Sequence, residues 1–126
     1  MLARTYRFHG YGSLRYVYTR GQSIRASFGV LKYATNPKRK TWRAAVVVSK
    51  KVHKSAVVRN RIRRRIYEIL RTTIPKDGSS FDMVYVVYAA QVADMPADDL
   101  REAILAQLQK AGIKTPAHAI VNKKEL

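Results

Sequence analysis

Ser49-Lys50-Lys51-Val52-His53-Lys54-Ser55-Ala56-Val57-Val58-Arg59-Asn60-Arg61-Ile62-Arg63-Arg64-Arg65-Ile66 is the stretch on which the fold turns. Five arginines fall between positions 59 and 65, and Val58, Ile62 and Ile66 recur through them every four residues. That recurrence is one buried stripe of a helix, so the segment predicts an apolar underside and a cationic upper face. The stripe continues through Ile69 and Leu70. Ser55 stands at the N-cap position, and Pro75 with Lys76-Asp77-Gly78-Ser79-Ser80 ends the element, which places the helix over residues 56–73.

Outward from this helix the pattern changes period. Trp42 to Val48 reads as a strand, and its unbroken apolar run from Ala44 to Val48 predicts a central strand covered on both faces. Ile24 to Ala34 reads as another strand, with Phe28, Val30 and Leu31 supplying β propensity. Asn36-Pro37-Lys38-Arg39-Lys40 is a charged turn, so a hairpin between these two strands is the natural pairing. Met83 to Val87 is a third apolar strand. A short helix is expected from Ser13, as cap, to Arg20, ended by Gly21, with Leu14, Val17 and Tyr18 on one face and Tyr16 off it. A last helix is expected from Pro96 to Ala111, with Leu100, Ala103, Ile104, Leu108 and Ala111 inward and Gly112 as its stop. The order α-β-β-α-β-α predicts an α+β fold, a two-layer α/β sandwich with one mixed sheet and helices packed against it. Residues 1–112 form one domain in this reading, and 113–126 a C-terminal extension free to fray. Residues 1–12, with Gly10, Gly12 and several aromatics, are expected to be irregular.

The 126 residues carry a formal net charge of +17 and no cysteine. Residues 1–80 hold 20 basic and 2 acidic side chains, whereas residues 81–126 hold 5 and 6. The basicity therefore belongs to the folded body and not to a tail. Absence of cysteine excludes disulfides and thiolate metal sites and suits the reducing cytoplasm. No apolar run approaches the roughly 20 residues that span a bilayer, so no membrane partner is expected.

The run from Arg59 to Arg65 contains no carboxylate. Packing guanidiniums so densely costs repulsion unless a polyanion lies on them. Arginine forks match phosphate oxygens and stack on bases, and the Asn60 amide can meet a base edge or a ribose hydroxyl. Lys50, Lys51, His53 and Lys54 extend the patch ahead of the helix. A plain helix–turn–helix reading fits poorly because a strand precedes the basic helix; RNA fits better. A solvated basic face, a ribosomal or other structural RNA-binding protein without a catalytic partner, and a DNA-binding module are the competing readings. His9, His53 and His118 lie in separate segments, and no paired carboxylates flank the basic region, so neither a metal centre nor a protein-borne nuclease site is expected.

The segment Ser49-Lys50-Lys51-Val52 … Ala56-Val57-Val58-Arg59-Asn60-Arg61-Ile62-Arg63-Arg64 closely resembles the signature of the bacterial ribonuclease P protein component. The resemblance runs from about residue 4 to 112, through Leu14, Val17, Tyr18 and Gly21 upstream and Asp82-Met83-Val84 downstream. It implies a left-handed crossover around the basic helix, against the general rule of hand. It implies that Lys50, Lys51, Lys54, Arg59, Asn60, Arg61, Arg63, Arg64 and Arg65 contact a catalytic RNA subunit. It also implies that the single-stranded 5′ leader of precursor tRNA lies in a cleft formed by Leu14, Tyr18, Phe28, Val30 and Lys32. Val46 and Val48 belong either to the cleft floor or to the core, and Leu14, Val17 and Tyr18 suit a core as well as a cleft. A one-residue change of register would put Gly29 or Val30 in place of Phe28. Two departures stand out: Leu14 where the family usually has an aromatic, and the glycine-rich start around Gly10 and Gly12. The implied activity is removal of the precursor-tRNA leader, with hydrolysis by the RNA and Mg2+ held mainly on RNA phosphates.

Overall fold

A computed structural model describes residues 11–36, 41–75 and 80–113, with side chains from Arg15 onward. Its elements are α1 (Tyr11–Arg20), β1 (Gln22–Arg25), β2 (Gly29–Thr35), β3 (Arg43–Val48), α2 (Ala56–Thr73), β4 (Phe81–Val87), a 3-10 turn (Ala90–Ala93) and α3 (Ala97–Lys110). The four strands form one mixed sheet in the order β1-β2-β4-β3. β1 and β4 both pair antiparallel with β2, whereas β3 pairs parallel with β4. A parallel pair needs a long crossover, and α2 supplies it.

Three expectations fail here. The stretch 24–34 is not one strand: it folds back on itself at Ala26–Phe28, where the Ala26 N–H donates to the Gly29 carbonyl at 2.8 Å. The hairpin is therefore β1–β2. The expected partners, now β2 and β3, are separated by β4, which pairs with both. Tyr85 and Val84 sit at the centre of the sheet, and the Ala44–Val48 run belongs to an edge strand. Its burial alternates along the strand, with Ala44, Val46 and Val48 buried and Ala45 and Val47 half-buried. The run looks continuous because both faces of β3 are apolar, one under α2 and the other beside the Val17–Val84 cluster.

That alternation divides the molecule into two layers plus a cap. Leu31 and Tyr33 of β2, Val46 and Val48 of β3, and Met83 and Tyr85 of β4 pack with Ile62, Ile66, Leu70, Leu100, Ile104 and Leu108 into the main core. On the opposite face Val17 of α1 meets Val84, fringed by Ala34, Ala45, Val47 and Val86. Beside this ten-residue helix Ala45, Val47 and Val86 stay only half-buried, and that part of the face is the candidate groove.

Local chemistry explains the element ends. Ser55 caps α2, its Oγ accepting from the Val58 N–H at 3.3 Å. Tyr67 of α2 is buried, and its hydroxyl accepts from the Val46 N–H at 3.2 Å. α1 begins two residues before Ser13, so Ser13 is inside the helix and not at its cap position. Gly21 ends α1 as expected: a Cβ there would stand 2.6 Å from the Tyr33 carbonyl oxygen, so only glycine lets the chain pass into β1. Gly112, at φ 78°, terminates α3 in the left-handed conformation. Ile113 is buried in the main core, so the ordered body extends one residue into the expected extension. The expectations for residues 1–10 and 114–126 lie outside the described residues.

Candidate nucleic-acid interface

The N-terminal half of α2 divides its cations into two groups. Arg59 donates through Nη1 to the carbonyls of His53 and Lys54, at 3.0 and 3.1 Å, and Arg63 reaches the Val48 carbonyl at 3.4 Å. His53 Nδ1 accepts from the Ser55 N–H at 3.0 Å. These bonds tie the Ser49–Ser55 loop to the helix it precedes. Arg63 also donates to Asn60 Oδ1 at 2.6 Å, which turns the Asn60 amide nitrogen outward as a donor. Arg61 and Arg64 project from the exposed face with Asn60, and Lys50, Lys51 and Lys54 are exposed beside them. The partner nearest Arg61 is Asp94 at 3.8 Å, a solvent-exposed pair of little net strength.

Arg65 behaves differently from its neighbours. Its guanidinium donates to the Val92 carbonyl at 2.6 Å and to the Met95 carbonyl. It clamps the 3-10 turn onto α2, so its donors point into the protein and not at a ligand. The contiguous Arg63-Arg64-Arg65 run gives no sign of this, because the acceptor carbonyls lie about thirty residues away in sequence.

On the other face of the sheet, Tyr18 flanks α1 and is 44% exposed, with the Lys32 ammonium 5.3 Å from its ring centroid. Burial raises the Tyr18 hydroxyl pKa above its usual value, and nearby Tyr88 adds to the rise. The phenol therefore stays neutral at any physiological pH. Register sets the floor of this groove. Val30 and Lys32 of β2 pair with Val86 and Val84 of β4, and Val47 of β3 pairs with Val86. Tyr88 continues the alternation Val84-Val86-Tyr88 onto the same face and is 48% exposed.

One of the expected cleft positions needs correction. Phe28 is 2% exposed and stacks on Tyr85 at 6.4 Å within the main core, so it offers no platform. Val30 lies on the groove face but is buried as floor. Val46 and Val48 point into the main core; Ala45 and Val47 line the groove face instead. Tyr88 was missed because the strand reading stopped at Val87. Counting the alternation one residue further would have found it. The Leu14 side chain lies outside the described residues.

The two surfaces meet at one end of the sheet. Val48 and Val87 are paired strand ends, so the lysine loop after β3 and Tyr88 after β4 leave the sheet side by side. Among the described residues no group of three or more His, Asp or Glu side chains gathers to hold a metal ion. Asp82, the one buried carboxylate among the described residues, is held by Arg43 at 2.8 Å and by Asn36 at 2.9 Å. Fold and site together define a small basic α+β protein whose cationic helix face is of the kind that binds RNA.

The comparisons agree. The family model described as Ribonuclease P matches residues 2–112. The chain is 34% identical over 110 residues to the ribonuclease P protein component of Chloroflexus aurantiacus, covering 87% of this chain and 80% of that one. It is 38% identical over 100 residues to that of Clostridium botulinum, covering 79% and 87%. The solved RNase P protein of Staphylococcus aureus superposes with a TM-score of 0.72 at 22% identity, over 86% of this chain and 96% of that one. That of Thermotoga maritima gives 0.71 at 24% identity, over 82% and 96%. The chain belongs to the bacterial ribonuclease P protein family, whose role is that of protein subunit in the ribonuclease P ribonucleoprotein.

Proposed function

We propose that the two surfaces divide the work of that subunit. The exposed face of α2, with Asn60, Arg61 and Arg64, docks on the catalytic RNA together with Lys50, Lys51 and Lys54. Arg59 and Arg63 hold the loop that presents those lysines and place their remaining N–H groups at its edge. The groove beside Tyr18, Lys32 and Tyr88 receives the single-stranded 5′ leader of precursor tRNA. Tyrosine rings give sequence-tolerant stacking, and Lys32 adds a cation for the backbone. Hydrolysis belongs to the RNA, with Mg2+ held mainly by its phosphates; the protein neutralises charge where substrate and catalyst would repel. The observation that carries this reading is the Tyr18 ring, 44% exposed beside the Lys32 ammonium, over a sheet face on which Val47 and Val86 are only half-buried. The working unit is one RNA-binding domain over residues 1–112 followed by an extension over 113–126, acting in the cytoplasm. Precursor-tRNA cleavage by the cognate catalytic RNA, at low magnesium with and without this chain, tests the assignment. A higher rate with the chain is expected, and no change in rate would sink it.

A further inference from the structure

α1 has two flanks. Val17 is its buried point, and a helical step of about 100° puts Tyr18 on one side and Tyr16 with Arg20 on the other. The Tyr16 side closes a cleft of about 160 Å³, lined by Tyr16, Arg20, Gln22, Tyr33, Ala34 and Thr35. It sits at the far end of the sheet from the lysine loop. Thr35 pairs with Phe81 at one end of β4, whereas the loop follows Val48, which pairs with Val87 at the other. Five residues of β2 separate Val30 from Thr35, a span of about 16 Å.

The chemistry of this cleft is specific. Tyr16 is 52% exposed, an aromatic face open to solvent. Tyr33 donates its hydroxyl proton to Gln22 Oε1 at 2.9 Å on the main-core side of the sheet, which fixes the start of β1 against β2 at this end. Arg20 is exposed and forms no ion pair among the described residues. Thr35 adds a hydroxyl, and no carboxylate lines the space. Pockets for drug-sized ligands run to about 300–1,000 Å³, so this one suits a single planar ring with an attached anion.

We propose that the cleft binds one unpaired RNA nucleotide, its base against the Tyr16 ring and its phosphate on Arg20. This rests on the ribonucleoprotein reading above, which supplies RNA to both sides of α1. The nucleotide comes either from the leader or from the catalytic RNA, and the shared chemistry is the same. The test uses the full chain reconstituted with its catalytic RNA and compares Tyr16→Ala, Tyr16→Phe, Arg20→Gln and, as control, Thr19→Ala on the outward face. Two affinities are titrated: catalytic RNA for the protein, and precursor tRNA of increasing leader length for the holoenzyme. Tyr16→Ala is expected to lose roughly five- to a hundredfold in one titration. Tyr16→Phe and Thr19→Ala should stay near wild type. Arg20→Gln should lower the salt slope of the same titration by about one. Loss in the precursor arm assigns the nucleotide to the leader; loss in the other assigns it to the catalytic RNA. Unchanged affinities for Tyr16→Ala in both arms overturn the proposal, including when Arg20→Gln alone weakens binding, because a phosphate contact without a base is not this site. If the wild-type chain itself fails to raise cleavage, the subunit reading falls; if it raises cleavage and Tyr16→Ala matches it in both affinities, only the cleft does.

Discussion

Lys32 holds its ammonium 5.3 Å from the centre of the Tyr18 ring, linking β2 to α1 across the open face of the sheet. The cation sits where a stacked base and its phosphate would meet the protein. Lys32→Ala is therefore expected to weaken precursor binding to the holoenzyme about three- to tenfold and to lower its salt slope by about one. Lys32→Arg should keep both. Equilibrium titration at several salt concentrations measures this, and an unaltered slope for Lys32→Ala would remove the residue from the interface.

The clamp role of Arg65 separates it from Arg61 and Arg64. Arg65→Ala strands the Val92 and Met95 carbonyls and should cost about 2–4 kcal/mol of stability in urea unfolding. Arg61→Ala and Arg64→Ala should change stability by less than about 0.5 kcal/mol. Each should weaken catalytic-RNA binding and remove about one unit of salt slope. If Arg65→Ala left stability intact, the clamp would be of no consequence.

Ser55 closes the first turn of α2 through its hydroxyl. Ser55→Ala is expected to cost about 1 kcal/mol and Ser55→Asp to retain the cap. Thermal unfolding of the three proteins decides it, with equal melting temperatures counting against the cap.

Tyr85 gives the protein an alkaline limit. Burial pushes its hydroxyl far above the usual tyrosine value, and the 2.6 Å bond that it donates to Gln107 Oε1 needs the proton in place. The unfolded chain therefore releases this proton first as pH rises. Stability is unaffected below about pH 10 and falls above it. Melting curves across that range should show the decline, with a shallower one for Tyr85→Phe; identical pH dependence of the two proteins would contradict the assignment.

The basic helix was readable because everything that defines it is local: a cap, an apolar stripe and a proline stop within about twenty residues. Its bounds, Ala56–Thr73, are those expected. Strand pairing was not, because β4 enters between β2 and β3 from more than thirty residues downstream, and the β1–β2 turn at Ala26-Ser27-Phe28 carries no Asn-Gly or Asp-Gly signal. The same non-locality misplaced Phe28, whose partner is Tyr85, and hid the role of Arg65, whose acceptors lie beyond β4. Helical spacing put Tyr18 on one face with Leu14 and Val17, and only the family resemblance marked it as a cleft residue rather than core. Tyr88 required knowing that β4 is central and that its alternation runs one residue past its last ladder pair.

The division of labour between the two surfaces is tested most directly by one paired titration. Arg61→Ala and Tyr18→Ala are each measured for affinity to the catalytic RNA and for the gain in precursor affinity that a longer leader confers. Arg61→Ala is predicted to weaken RNA docking while preserving the leader gain. Tyr18→Ala is predicted to abolish most of the leader gain, roughly five- to a hundredfold, while docking stays at wild type. Equal losses of RNA-subunit affinity in both variants, with the leader gain unchanged in Tyr18→Ala, would contradict it.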